Sequence, residues 1–302
     1  MIVTRVAPAL YVRTPFYRVG YDKVWRLAVG RPLTATSNGT VDFISERLVP
    51  TSTPQTLGGA FDKSQDILRN GSDEPPTIIG DSTNLGGNHK VGGRSTAVYY
   101  KSRVEMDGAL LSNKTCSYVA EKLVISESYG IPTAASLAAS PPKNIPLRCS
   151  IENTFSFDMT GFCETRHKLT CIRPMTLNLL RGVQAFKPKL KAGQTLHLIV
   201  PGSTALAGGV DITSESTERY ILANDFIDAA KPPSHFVQEV RQSGVGQFAH
   251  MISILSTNRG TLTAAAYRSG AGKFYPYAYE GPTSLTPGMT VEVRLRHGCY
   301  GI

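Results

Sequence analysis

The chain has 302 residues, 41% of them hydrophobic, which is long and apolar enough to bury a substantial core and excludes a disordered or collagen-like polymer. No uninterrupted apolar run approaches the roughly 18 residues that cross a bilayer as a helix, and arginines interrupt MIVTRVAPALYVRTPFYR where a signal peptide needs its apolar stretch. Lys and Arg (32) outnumber Asp and Glu (23), but the net charge of +9 is scattered without a basic run, which speaks against nucleic acid as the partner.

Residues 1–49 hold the single tryptophan, Trp25, with Phe16 and Tyr17 close by. That is enough apolar mass to anchor and too little to fold alone, so the segment reads as an N-terminal arm or small lobe. Its pieces Val24–Val29 and Thr40–Ile44, the latter after an Asn38-Gly39 turn, are expected to add to a sheet edge of this chain or of another subunit. Residues 50–76 are polar and rich in Pro and Gly, the composition of a linker.

From residue 77 to 302 the pattern is that of a β-rich main domain. Gly (28) and Pro (19) punctuate short segments rich in β-branched and aromatic residues, and the 3.6-residue apolar period of a helix is scarce. Expected strands are Thr96–Glu105, Tyr118–Glu127, Ile145–Asp158, His167–Met175, Thr195–Val200, Arg219–Ala223, Phe248–Ser253, Thr261–Tyr267, Lys273–Tyr279 and Thr290–Arg296. The fold class is therefore mainly β, a sandwich-like or distorted barrel domain with at most one or two short helices. Thr217–Ala230 is the best helix candidate, since it stops before Pro232-Pro233, and it competes with the strand over Arg219–Ala223.

Five cysteines, Cys116, Cys149, Cys163, Cys171 and Cys299, include no CxxC pair, so a zinc ribbon is not indicated and buried thiols in a reducing compartment are expected. Cys163 and Cys171 bracket ETRHKLT and could face each other across a hairpin. Within that run Glu164 and His167 have the i,i+3 spacing of helical metal sites, but between strands a salt link at a hairpin is the expectation. No other histidines have metal-ligand spacing, so neither metal nor cofactor is expected. The glycines of Gly208–Asp211, Gly244–Gln247 and Ser269–Lys273 lack phosphate-loop spacing and read as hairpin turns.

Thr77–Lys90, TIIGDSTNLGGNHK, is the run richest in chemistry. Its Gly80-Asp81-Ser82 resembles the nucleophile block of SGNH-type esterases, yet the Asp-x-x-His block of that family occurs nowhere in the chain. The acidic-Pro entry at Asp73–Pro76 followed by Gly86-Gly87-Asn88-His89 resembles a segment of poorly characterised, β-rich phage and prophage tail-associated proteins, with Lys90 where they carry glycine. The resemblance implies a virion component of tail, baseplate or fibre, folded in the host cytoplasm, with other virion proteins and copies of itself as partners.

A second reading makes the chain a glycan-active enzyme or surface adhesin. Asn88 and His89 in a polar turn, with Arg94 and Tyr99 following, are similar to the groups by which polysaccharide lyases offset a uronate charge and abstract its α-proton. Structural use of Asn88-His89 as a turn is the competing expectation. Tyr275, Tyr277 and Tyr279 in KFYPYAY could stack sugars or fill a subunit contact, and they join Trp25, Phe16 and Tyr17 as candidate interaction residues. A third reading, a capsid protein contacting nucleic acid, requires the scattered cations to converge on one face.

Overall fold

A computed structural model describes residues 1–6, 9–13, 17–22, 26–32, 34–36, 39–41, 68–70, 78–80, 83–85, 90–91, 94–111, 116–138, 145–160, 162–181, 184–186, 192–203, 207–213, 218–222, 235–257, 264–268 and 273–301. The N-terminal strands β1 (Ile2–Val6), β2 (Ala9–Arg13), β3 (Tyr17–Asp22) and β4 (Arg26–Pro32) form an antiparallel meander. After them, β5 (Thr34–Thr36) pairs with β6 (Gly39–Val41), and β7 (Leu68–Asn70) with β4. Next come β8 (Ile78–Gly80), β9 (Thr83–Leu85) and the hairpin of β10 (Lys90–Val91) and β11 (Arg94–Ser95).

The following stretch holds β12 (Val98–Met106), β13 (Ala109–Leu110), β14 (Cys116–Val119), β15 (Lys122–Pro132) and a five-residue helix, α1 (Ala134–Ala138). Thr133 caps that helix by accepting the Ser136 amide at 3.2 Å. Then come β16 (Leu147–Asp158), β17 (Cys163–Cys171), β18 (Met175–Arg181), β19 (Gln184–Phe186), β20 (Gln194–Ile199), β21 (Val210–Asp211) and β22 (Glu218–Leu222). The last five are β23 (His235–Gln242), β24 (Val245–Thr257), β25 (Ala264–Arg268), β26 (Lys273–Leu285) and β27 (Thr290–Gly301).

Among the described residues these strands make two large antiparallel sheets. One has the order β13-β12-β15-β16-β17-β27-β24-β23-β20-β21; the other runs β14-β1-β2-β3-β4-β7-β19-β26-β18-β8-β9, with β25 and β22 branching from β26. Each sheet ends in two different edge strands, so the protein is mainly β and sandwich-like, without a closed barrel. The sheets approach where β27 meets β3 and β4 and where β24 meets β26.

The ten-stranded sheet follows from strict alternation. In β17 the buried residues are Cys163, Thr165, His167, Leu169 and Cys171, every second position of CETRHKLTC. Ile125, Phe155, Leu169, Val291, Val293 and Leu295 lie on the same inner face, fully out of solvent. Each of the largest fully buried side chains, Phe155, Phe157 and Phe236, contributes roughly 1.5–3 kcal/mol by leaving water. Two hairpins close with two residues each, Asp107-Gly108 and Ser243-Gly244, all four at positive φ as a turn matched to strand twist requires. In the first, Asp107 Oδ1 also accepts the amides of Glu121 and Lys122, locking the turn to the start of β15.

Several sequence expectations need correction. Thr217–Ala230 does not begin as a helix: Glu218–Leu222 is a strand laddered to β25, because a tertiary partner decides what a short apolar run cannot. Residues 223–230 of that candidate lie outside the described residues. Tyr118–Glu127 divides at Ala120-Glu121 into strands of different sheets, and His167–Met175 spans the bend between β17 and β18. Cys163 and Cys171 do not face each other: they end the same strand, and Cys171 lies opposite Cys149 instead. Glu164 and His167 make no salt link, since an i,i+3 spacing on a strand sends them to opposite faces.

Candidate functional site

The described positions among those singled out from sequence lie on β3, β11, β12 and β26. Asn88 and His89, like Trp25 and Phe16, lie outside the described residues. Arg94 sits on β11 opposite Val91. Tyr99, at positive φ (57°) beside a register shift in β12, has its hydroxyl 2.6 Å from the Ile145 amide and accepts that hydrogen bond, which ties the strand to the entry of β16. Tyr17 pairs with Pro32 at the start of β3, and Tyr275, Tyr277 and Tyr279 follow one another along β26.

The structure instead concentrates polar chemistry on the two faces of β12, β15, β16, β17 and β27. On the inner face three polar residues stand in register across neighbouring strands: Glu127 opposite Asn153, and Asn153 opposite His167. Asn153 Nδ2 donates to Glu127 Oε2 at 3.4 Å, leaving Asn153 Oδ1 to accept from His167 Nδ1 at 3.0 Å. His167 is thus the neutral tautomer protonated on Nδ1, and its Nε2 is buried without a hydrogen-bond partner. Complete burial pushes its pKa down to about 4. The Phe155 ring packs edge-on to the imidazole, with centroids 6.2 Å apart.

This row cannot reach a solvent-borne substrate. Its hydrogen bonds fit only one pairing, so it pins the register of three strands that a one-residue slip would turn inside out. Below it, Cys149 and Cys171 oppose each other as free thiols. Burial, reinforced by the neighbouring Cys171, pushes the Cys149 thiol up to about 12, and burial also raises Cys163. Thiols so held are weak nucleophiles.

The outer face of the same strands is charged and hydroxylated. Arg103, Ser126, Thr154, Arg166 and Arg294 form one cross-strand row, and Lys101, Ser128, Glu152, Lys168 and Glu292 form the next. A depression of about 500 Å³ lies over β12, β15, β16 and β17, walled by Lys101, Arg103, Glu152 and Arg166, with Ser126, Ser128 and Thr154 between them. Four carboxylates on this face already have cations: Glu105 with Arg103 (2.6 Å), Glu292 with Arg166 (2.6 Å), Glu152 with Lys168 (3.4 Å) and Glu164 with Arg296. The hydrogen bond from Arg166 holds the Glu292 carboxyl below its usual range.

Neither row was recognised from sequence, although a signal was present. In KLVISES, ENTFSFD and ETRHKLT the outward positions are Ser, Thr, Glu, Lys or Arg almost throughout, and Glu127, Asn153 and, with Thr165, His167 break the apolar inward series of their strands. His235 is bonded to Ser253 (2.8 Å) and His197 to Thr195 (3.1 Å). Among the described residues no three His, Cys, Asp or Glu side chains converge as a metal site, and no helix is long and apolar enough to cross a membrane.

No protein-family model and no curated protein matches the sequence. Solved structures do resemble the fold. The GH36 α-galactosidase AgaB from Geobacillus stearothermophilus superposes with a TM-score of 0.50 at 9% identity, over 98% of this chain and 40% of that one. AgaA, a GH36 α-galactosidase of the same organism, gives 0.51 at 10% identity, over 97% and 40%. The chain therefore spans about two-fifths of the length of these enzymes. At such identities the likeness is one of β architecture.

Proposed function

We propose that the chain is a structural subunit of a bacteriophage virion, in the tail, baseplate or fibre, that assembles through its N-terminal strands and sheet edges. The observation that carries this reading is the edge strand β14. It hydrogen-bonds to β1 on one side, and among the described residues no strand pairs with its other side. It nevertheless exposes Val119 (82%) and Tyr118 (39%). At the edge of the other sheet β13 exposes Leu110 (67%). Proteins that stay monomeric shield such edges with charge, proline or a covering segment, so open apolar edges suit a chain that adds strands to a neighbour. The phage-like segment around Gly86–His89 gives the setting, and β1 beside β14 brings the N-terminal segment to the same edge.

Light scattering over a concentration series tests the assembly. The full chain is expected to form oligomers that Val119→Lys, on the open edge, disperses to monomer while the far-ultraviolet spectrum is unchanged. A monomer at every concentration overturns the reading.

A further inference from the structure

We propose that the outer face of the ten-stranded sheet binds an acidic oligosaccharide, laid across β12, β15, β16, β17 and β27 and held by Lys101, Arg103, Arg166 and Arg294. The inference stands on this face alone and does not depend on the virion setting.

The first argument is charge accounting. The four carboxylates of Glu105, Glu152, Glu164 and Glu292 face six cations, Lys101, Arg103, Arg166, Lys168, Arg294 and Arg296; Glu292 is bridged to Arg166 and also feels Arg294 and Lys168, so these ten side chains keep an excess of positive charge. Arg294 also lies directly opposite Arg166 across the β17–β27 ladder. Like charges in that position repel, and the single carboxylate acting on both, Glu292, balances only one of the two guanidiniums, so the pair can still take up an anion. Arg103 and Arg166 each engage their carboxylates through one terminal nitrogen, so further guanidinium N–H donors are unspent.

Shape and chemistry decide the ligand class. The 500 Å³ depression and a smaller recess of about 110 Å³ beside Arg294 share Thr154 and Arg166, so the two form one track. Lys101 and Arg294 stand at its ends, four inter-strand steps of ~4.8 Å apart, or roughly 19 Å. Single-stranded nucleic acid is held in large part by aromatic platforms on which its bases stack. No aromatic side chain lines either depression. Ser126, Ser128 and Thr154 between the cations supply donors and acceptors suited to sugar hydroxyls, and Glu152 can accept from a hydroxyl. A hydroxyl-rich anion such as an oligo-uronate, with carboxylates for the cations and hydroxyls for the groups between them, suits this lining.

Calorimetric titration of the full chain with hexagalacturonate tests the proposal, with a neutral hexasaccharide and a single-stranded hexanucleotide as comparison probes. Binding of the uronate alone is expected, weakening as salt is raised. The double variant Lys101→Gln/Arg294→Gln is expected to lose at least tenfold in affinity with its melting temperature and oligomeric state unchanged. Arg173→Gln, which removes one positive charge in the bend beyond β17, is expected to bind as the parent does, and the single variant Arg294→Gln, equal to it in charge, is expected to bind more weakly. No binding of the uronate, equal or tighter binding of either comparison probe, or an undiminished double variant overturns the proposal. Loss of oligomers in light scattering with uronate binding intact strikes only the virion reading.

Discussion

The two faces of β12, β15, β16, β17 and β27 use the same kinds of polar side chain to opposite ends. Inward, Glu127, Asn153 and His167 are cut off from water, and their hydrogen bonds fix which strand positions oppose each other. Outward, Arg166–Glu292 and Lys168–Glu152 remain in solvent, where the same kind of bond contributes little to stability and can be exchanged for a ligand. The difference is one of dielectric: a polar group that loses its partner inside has no water to replace it.

The comparison breaks first at its centre. Asn153→Ala takes away the group that links Glu127 to His167, and chemical denaturation is expected to register a loss of about 3 kcal/mol or more. Next comes the pH dependence of the same row. The folded pKa of His167 is about 4 against an ordinary value near 6.5, so between those values the unfolded chain binds a proton that the folded one does not. Stability rises with pH through that window, and acidification from pH 6.5 to pH 4 is expected to remove about 3 kcal/mol. Denaturation curves of the parent and of His167→Gln across that range isolate this contribution. A His167→Gln curve that falls as steeply as the parent's shows that other groups carry the acid sensitivity.

The smallest effect belongs to the outer face. Arg166→Ala breaks the pair with Glu292, and denaturation is expected to show less than about 1 kcal/mol. A loss as large as that of Asn153→Ala would place Arg166 among the structural residues and erase the distinction between the faces.

Much of the strand pattern was legible in the chain. The strands over Leu147–Asp158, Gln194–Ile199 and Thr290–Gly301 stand where polarity alternation in the sequence puts them, and Ser243-Gly244 turns the hairpin expected at that glycine-containing stretch. The strand His235–Gln242 alternates as clearly but is not among the strands expected from the sequence, and neither is the short helix Ala134–Ala138 placed there. The outer-face residues were legible only as a polar half of an alternation, because no local pattern says that positions 103, 154, 166 and 294 share a row. Arg166 and Glu292 are 126 residues apart and meet only because β27 inserts beside β17.

The sequence by itself determined the mainly-β class, through periodicity of two and the glycines and prolines that end each strand, since both act within a few residues. Only the tertiary structure decided which strands neighbour one another, that Glu218–Leu222 is a strand, and that Glu127, Asn153 and His167 face inward while Lys101 and Arg294 line an outer groove. Those outcomes depend on hydrogen bonds and burial between distant segments, and a side chain's chemistry follows from the neighbours and the water that the assembled sheet leaves it.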